Sequence, residues 1–212
     1  LGTSWEFISS YVFDFSWGYT SYSYQIQGTE APELATTESR IFITHDPNIS
    51  GHQQTREKWK QSVNLYYSDD WFKTKNLALE SGNSIVMTNH YMFIALANSN
   101  DAVKVHVSRA KGGFLDFRQA RLPGHYGLTD FFTVMDTSEK SVFLFTSDYS
   151  LQNPVGNLFI SDGFGSRFTH SVENIVKSSY SSAGMVDFET IESMDGTFIC
   201  NRYDFQHGNV DH

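Results

Sequence analysis

His45, Asp46 and His52, and again His207, Asp211 and His212, bring together the imidazole and carboxylate donors from which zinc sites are made. Such a site needs its ligands at fixed spacing on a rigid element, and both sets lie in polar stretches without one. No metal is expected. Asp162-Gly163-Phe164-Gly165 offers the close glycines of a phosphate cradle, but no dinucleotide fingerprint or P-loop surrounds it, and no Gly-x-Ser-x-Gly elbow occurs. A turn explains it better, and no cofactor is expected. The single cysteine, Cys200, rules out a disulfide within the chain. A buried free thiol is the simpler expectation, with a partner cysteine outside these residues as the alternative. Asn48-Ile49-Ser50 is a formal N-glycosylation acceptor in a polar stretch that has room for a glycan.

The elements that must carry these residues are strands. Aromatic residues make up 16% of the 212 residues, and short apolar runs alternate with Gly, Asn, Asp and Ser clusters. Strands are expected over 11–17, 40–44, 63–67, 84–88, 91–97, 103–108, 130–135, 141–146, 157–161 and 196–200. Only 171–179 and 56–61 have any helical character, and neither sustains an apolar stripe. Residues 21–39 and 47–60 read as insert loops. With 24 acidic against 15 basic residues and a net charge of -9, the chain is a poor match for a phosphate backbone, so nucleic acid is not an expected partner. No apolar run approaches the roughly 20 residues that cross a bilayer.

The most informative pattern is a repeat. Three strands end in a serine that is followed by a tight turn: Leu65-Tyr66-Tyr67-Ser68, Val105-His106-Val107-Ser108 and Leu158-Phe159-Ile160-Ser161. The serines stand 40 and 53 residues apart, a spacing that suits one four-stranded propeller blade per repeat. The frame resembles the Asp-box, Ser-x-Asp-x-Gly-x-Thr-Trp, which joins the third and fourth strands of blades. Ser68 and Asp70 keep its first half; Ser108 and Gly112 keep Ser and Gly; Ser161, Gly165 and Phe168 keep Ser, Gly and the aromatic. Trp5 closes a fourth, partial copy. In such a box Ser and Asp satisfy the turn's backbone, Gly allows a left-handed residue, and the aromatic packs between blades. The expected fold is therefore all-β: a partial β-propeller of about three to four four-stranded antiparallel blades with degenerate Asp-box turns. Residues 1–212 are read as a single segment that starts and ends inside a blade. Isolated, such a segment is expected to aggregate through exposed strand edges.

A finer resemblance follows from the order of the blocks. Val12-Phe13-Asp14-Phe15-Ser16-Trp17-Gly18, Tyr91-Met92-Phe93-Ile94-Ala95, Asn157-Leu158-Phe159-Ile160-Ser161 and Phe168-Thr169-His170-Ser171-Val172-Glu173-Asn174 are similar, in this order, to segments of the sortilin family of sorting receptors. That resemblance implies a lumenal, ligand-binding propeller of ten blades that binds peptide or protein cargo for traffic between Golgi, endosome and cell surface. It also implies a membrane anchor outside these residues, packing against the remaining blades, and no enzymatic activity. One branch of the family places an Arg just before the strand matching 105–108. Here Lys104 supplies a point charge without the bidentate fork. A family site aromatic falls near Phe132. A solvated charge and a blade-core aromatic are the competing readings of these two residues. Sialidases also carry Asp-boxes, and Arg40-Ile41-Phe42 faintly echoes their Arg-Ile-Pro motif but lacks the proline. A propeller that only assembles other proteins is the third reading.

Overall fold

The run Ile41-Phe42-Ile43-Thr44-His45 has β-branched or aromatic side chains at nearly every position, and every one of them is buried. Such a strand has to lie inside a sheet with both faces covered. The computed structural model describes residues 5–18, 40–46, 63–88, 90–96, 104–110, 113–124, 132–137, 140–147, 155–177, 186–191 and 193–204. The chain divides into two compact units, Leu1–Gln119 and Ala120–His212.

The first unit holds two four-stranded sheets. One runs β1 (Val12–Trp17), β2 (Ile41–His45), β3 (Asn64–Ser68) and β4 (Asn76–Leu79); the other runs β5 (Gly82–Met87), β6 (Tyr91–Leu96), β7 (Lys104–Arg109) and β8 (Arg118–Gln119). The second unit holds a third such sheet, β9 (Phe132–Asp136), β10 (Phe143–Thr146), β11 (Val155–Ser161) and β12 (Phe168–Val176), and the pair β13 (Phe188–Thr190) and β14 (Phe198–Cys200). Every ladder joins sequence neighbours antiparallel. Three repeated up-and-down meanders of four strands are the blade pattern of a partial propeller, and the fold is all-β.

The inner strands carry the cores. Phe42 and Leu65 of the first sheet pack with Met92 and Ile94 of the second and with Phe114. In the second unit Phe143, Phe145, Leu158, Ile175 and Phe188 form the corresponding cluster, with Phe198 and Cys200 against it. Cys200 is a half-buried free thiol. The outer strand β1 differs: Phe13, Phe15 and Trp17 are all exposed, and Trp17 meets Trp71 edge to face at 5.8 Å.

Three local readings change. Residues 171–177 are not helical but continue β12, where Phe168 to Val176 alternate between covered and open sides. Asn174, with φ of 59°, lies in this strand, whose ladder with β11 shifts register between Gly156 and Leu158. Gly156, just before the strand expected over 157–161, lies in β11 beneath Phe145. The short strands β4, β8 and β13 lack a legible alternation and emerge only from their pairing. Residues 21–39, 47–60 and the tail from 205 lie outside the described residues, and with them Asn48, His52, His207, Asp211 and His212.

Candidate functional site

All three serine turns join the third strand of a sheet to its fourth, and each solves the same backbone problem with different residues. In the first, the Ser68 hydroxyl donates to Asp70 Oδ1 at 2.7 Å and accepts from the N–H of Phe72 at 2.8 Å. Asp70 Oδ1 in turn accepts from the N–H of Thr74 at 2.8 Å. That bond, with lesser help from the Thr74 and Ser68 hydroxyls, holds the Asp70 carboxyl down to about 2. Trp71 and Phe72 both adopt positive φ, 59° and 60°, so Phe72 occupies the box's glycine position without being glycine.

In the third turn the carboxylate has moved by one residue. Asp162 Oδ1 accepts from the N–H groups of Phe164 at 3.2 Å, Ser166 at 3.1 Å and Arg167 at 3.4 Å. Ser161 accepts from the Val142 N–H at 2.7 Å, Gly165 supplies the positive φ of 72°, and Phe168 is buried. The second turn has no carboxylate: Ala110 stands where Asp belongs. Ser108 is 1% exposed, and its hydroxyl has no hydrogen-bond partner among the described residues. Gly112 lies outside the described residues; Gly113 and Phe114 carry positive φ, and Phe114 is the aromatic that fills the core. Trp5 is 95% exposed and packs into neither core.

The same substitution should therefore act in opposite directions at two copies of one motif. Ser68→Ala breaks a buried, fully used hydroxyl and should cost about 1–3 kcal/mol, whereas Ser108→Ala removes an unsatisfied one and should be neutral or stabilising by about 1 kcal/mol. Denaturant midpoints of the two variants, measured side by side, check this. Equal losses would show that the Ser108 hydroxyl is bonded after all.

Arg40 connects these turns. Its guanidinium forks onto Asp69 with bonds of 2.7 and 2.8 Å, donates to the Gly113 carbonyl at 2.8 Å, and lies 4.7 Å from the centre of the Tyr67 ring. The Asp69 bond raises the Arg40 pKa, and the same bond lowers that of Asp69. This arginine is committed to the fold, so the echo of a substrate-clamping Arg-Ile-Pro motif has no free guanidinium behind it. His45 likewise bonds the Ser10 carbonyl through Nδ1 at 2.8 Å and is buried against Tyr66. Among the described residues no three His, Cys, Asp or Glu side chains gather as metal ligands.

Lys104 opens β7 in the first unit and is exposed; Phe132 opens β9 in the second and is half-buried. Two residues along β7, on the Lys104 side of the strand, His106 is half-buried and its Nδ1 has no partner among the described residues. Burial, then the neighbouring Lys104 charge, lowers its pKa below 6.5. The folded state thus binds fewer protons than the unfolded chain below pH 6.5, and stability should fall as pH drops from there through the folded value. His106→Gln should flatten that slope below pH 6.5 in urea titrations, well above the range in which Asp70, held down to about 2, takes up its proton. An unchanged slope would place the acid sensitivity elsewhere.

The model for Sortilin-Vps10, described as "Sortilin, neurotensin receptor 3", matches residues 1–210. The chain belongs to the Sortilin-Vps10 family. It is 33% identical over 207 residues to the human VPS10 domain-containing receptor SorCS1, covering 95% of this chain and 16% of that protein. It is 24% identical over 167 residues to vacuolar protein sorting/targeting protein 10 of Phaeosphaeria nodorum, covering 77% and 11%. To vacuolar protein sorting/targeting protein PEP1 of Saccharomyces cerevisiae it is 26% identical over 152 residues, covering 70% and 9%. The chain thus spans between 9% and 16% of the length of these Sortilin-Vps10 relatives. This is a family of sorting receptors, and the Asp-box-like turns are the part of it that sequence spacing alone exposes.

Proposed function

We propose that this chain is part of the cargo-binding lumenal region of a sorting receptor, one stretch of a larger propeller, and that it carries out no catalysis. The observation that supports it best is the match to Sortilin-Vps10 across residues 1–210, which takes in all three four-stranded sheets. Relatives named for vacuolar protein sorting and targeting support a role in moving protein cargo, and the route proposed is between Golgi, endosome and cell surface. Lys104 and Phe132 are the proposed cargo contacts: an exposed cation for a ligand carboxylate and a half-buried aromatic for an apolar side chain. The exposed Phe13, Phe15 and Trp17 on β1 are, on this reading, the face that a neighbouring blade covers.

The test is the protein content of the medium around cells that lack the full-length protein. Soluble lumenal proteins should escape into it and be retained again when the wild-type gene is returned. A secreted fraction that does not change on deletion contradicts the receptor reading.

A further inference from the structure

Among the described residues Arg40 pairs with Asp69, Arg118 with Asp116 at 3.1 Å, and Arg202 with Glu173 at 2.9 Å. Arg121 and Arg167 have no such carboxylate among the described residues, and both are exposed. They are also forced together. The Arg121 N–H donates to the Ser166 carbonyl at 2.8 Å and the Phe168 N–H to the Arg121 carbonyl at 3.0 Å, which sets Arg121 directly opposite Arg167 in a parallel bridge. Bridged residues lie about 4.8 Å apart across the ladder with side chains on one face. Like charges so placed repel and destabilise the fold. Buried neighbours fix both backbones: Ala120 and Phe168 flank the pair from the inside, and the turn at Asp162 holds Arg167 in place. The Asp162 oxygen that could compensate is already turned onto three backbone N–H groups.

We infer that Arg121 and Arg167 form a two-arginine clamp for a short acidic segment of a protein partner, two neighbouring carboxylates each meeting one guanidinium fork. This rests on the reading of the chain as a protein-binding receptor segment and names a second contact separate from Lys104 and Phe132. Arginine suits it, because the planar fork takes a carboxylate with two parallel bonds. An extended polyanion fits less well. Long polyanions gain affinity by meeting many cations in a row, whereas this chain carries -9 overall and offers two. For a short segment the net charge matters little, since at physiological salt the field of distant carboxylates is screened within about 8 Å.

The probe is fluorescein-labelled octaglutamate titrated into the full-length protein and followed by fluorescence anisotropy. Binding should weaken steeply with added salt, and Arg121→Gln and Arg167→Gln should each raise Kd about tenfold. Unchanged Kd in the double variant overturns the clamp. So does arginine-dependent binding of a sulfated oligosaccharide or of phosphatidylserine vesicles without binding of octaglutamate. Thermal midpoints supply the second readout: either glutamine variant should melt at or above the wild-type temperature, and a fall of several degrees would make the pair structural and overturn the proposal. A failed clamp beside a medium that still gains lumenal proteins on deletion separates this inference from the receptor reading.

Discussion

Gly156→Ala is expected to destabilise the second unit by about 3 kcal/mol or more, among the largest losses available from adding one methyl group to this chain. A β-carbon there would press into the end of the Phe145 ring and lie 2.5 Å from the Thr146 carbonyl oxygen. The ring belongs to the buried cluster and the carbonyl to the β10 strand, so neither can yield without opening the ladder. Gly82→Ala is the control. Its β-carbon would meet Ile94 Cγ2 at 3.0 Å and Leu65 Cβ at 3.2 Å, milder approaches than those at Gly156 and with no backbone atom closer than 3.6 Å. Hydrogen exchange in the full-length protein reads the difference: protection should collapse across 132–176 in Gly156→Ala and hold across 82–109 in Gly82→Ala. Equal, small effects would mean that β11 is not seated against Phe145.

Arg40→Ala should cost about 2–3 kcal/mol in the first unit. The side chain is 12% exposed, so truncation leaves the partly covered Asp69 carboxylate and the Gly113 carbonyl without their donor. Asp69 is 46% exposed and water recovers part of the loss, which is why the figure stays below that of a fully buried pair. Arg40→Lys should recover less than half, because an ammonium cannot fork onto both Asp69 oxygens while also reaching Gly113 and covering Tyr67. Chemical denaturation of the three proteins decides it. A lysine variant as stable as wild type would show that charge alone, and not the fork, ties the two turns together. The pH window follows from the lowered Asp69 carboxyl: this contribution is complete above about 3.8 and is lost as pH falls below it.

Spacing carried much of this fold. Serines 68, 108 and 161 are legible because each follows a strand whose side chains cannot face water on both sides, and all three do end or nearly end a third strand. The fourth strands were harder. Arg118 and Gln119 are both exposed, so β8 has no apolar face to betray it, and β12 hides behind the polar run Ser171, Glu173 and Asn174. Asp162 was missed as the capping carboxylate since it stands one residue before the motif's aspartate, although it bonds the N–H four residues on, as Asp70 does. Arg40 could not have been assigned from sequence: its partners lie 29 and 73 residues away. Lys104 and Phe132 rest on family resemblance, for neither exposure nor hydrogen bonding distinguishes them from their neighbours.

Function, then, hangs on whether Lys104 and Phe132 meet cargo, and lysine-directed cross-linking of the full-length protein within its own cells tests that most directly. Peptides containing Lys104 should be recovered joined to other lumenal proteins, and those joined products should fall away in Phe132→Ala, which leaves the reactive Lys104 amine in place. Cross-links confined to the receptor's own chain, in cells where its lumenal surroundings are intact, would contradict the account.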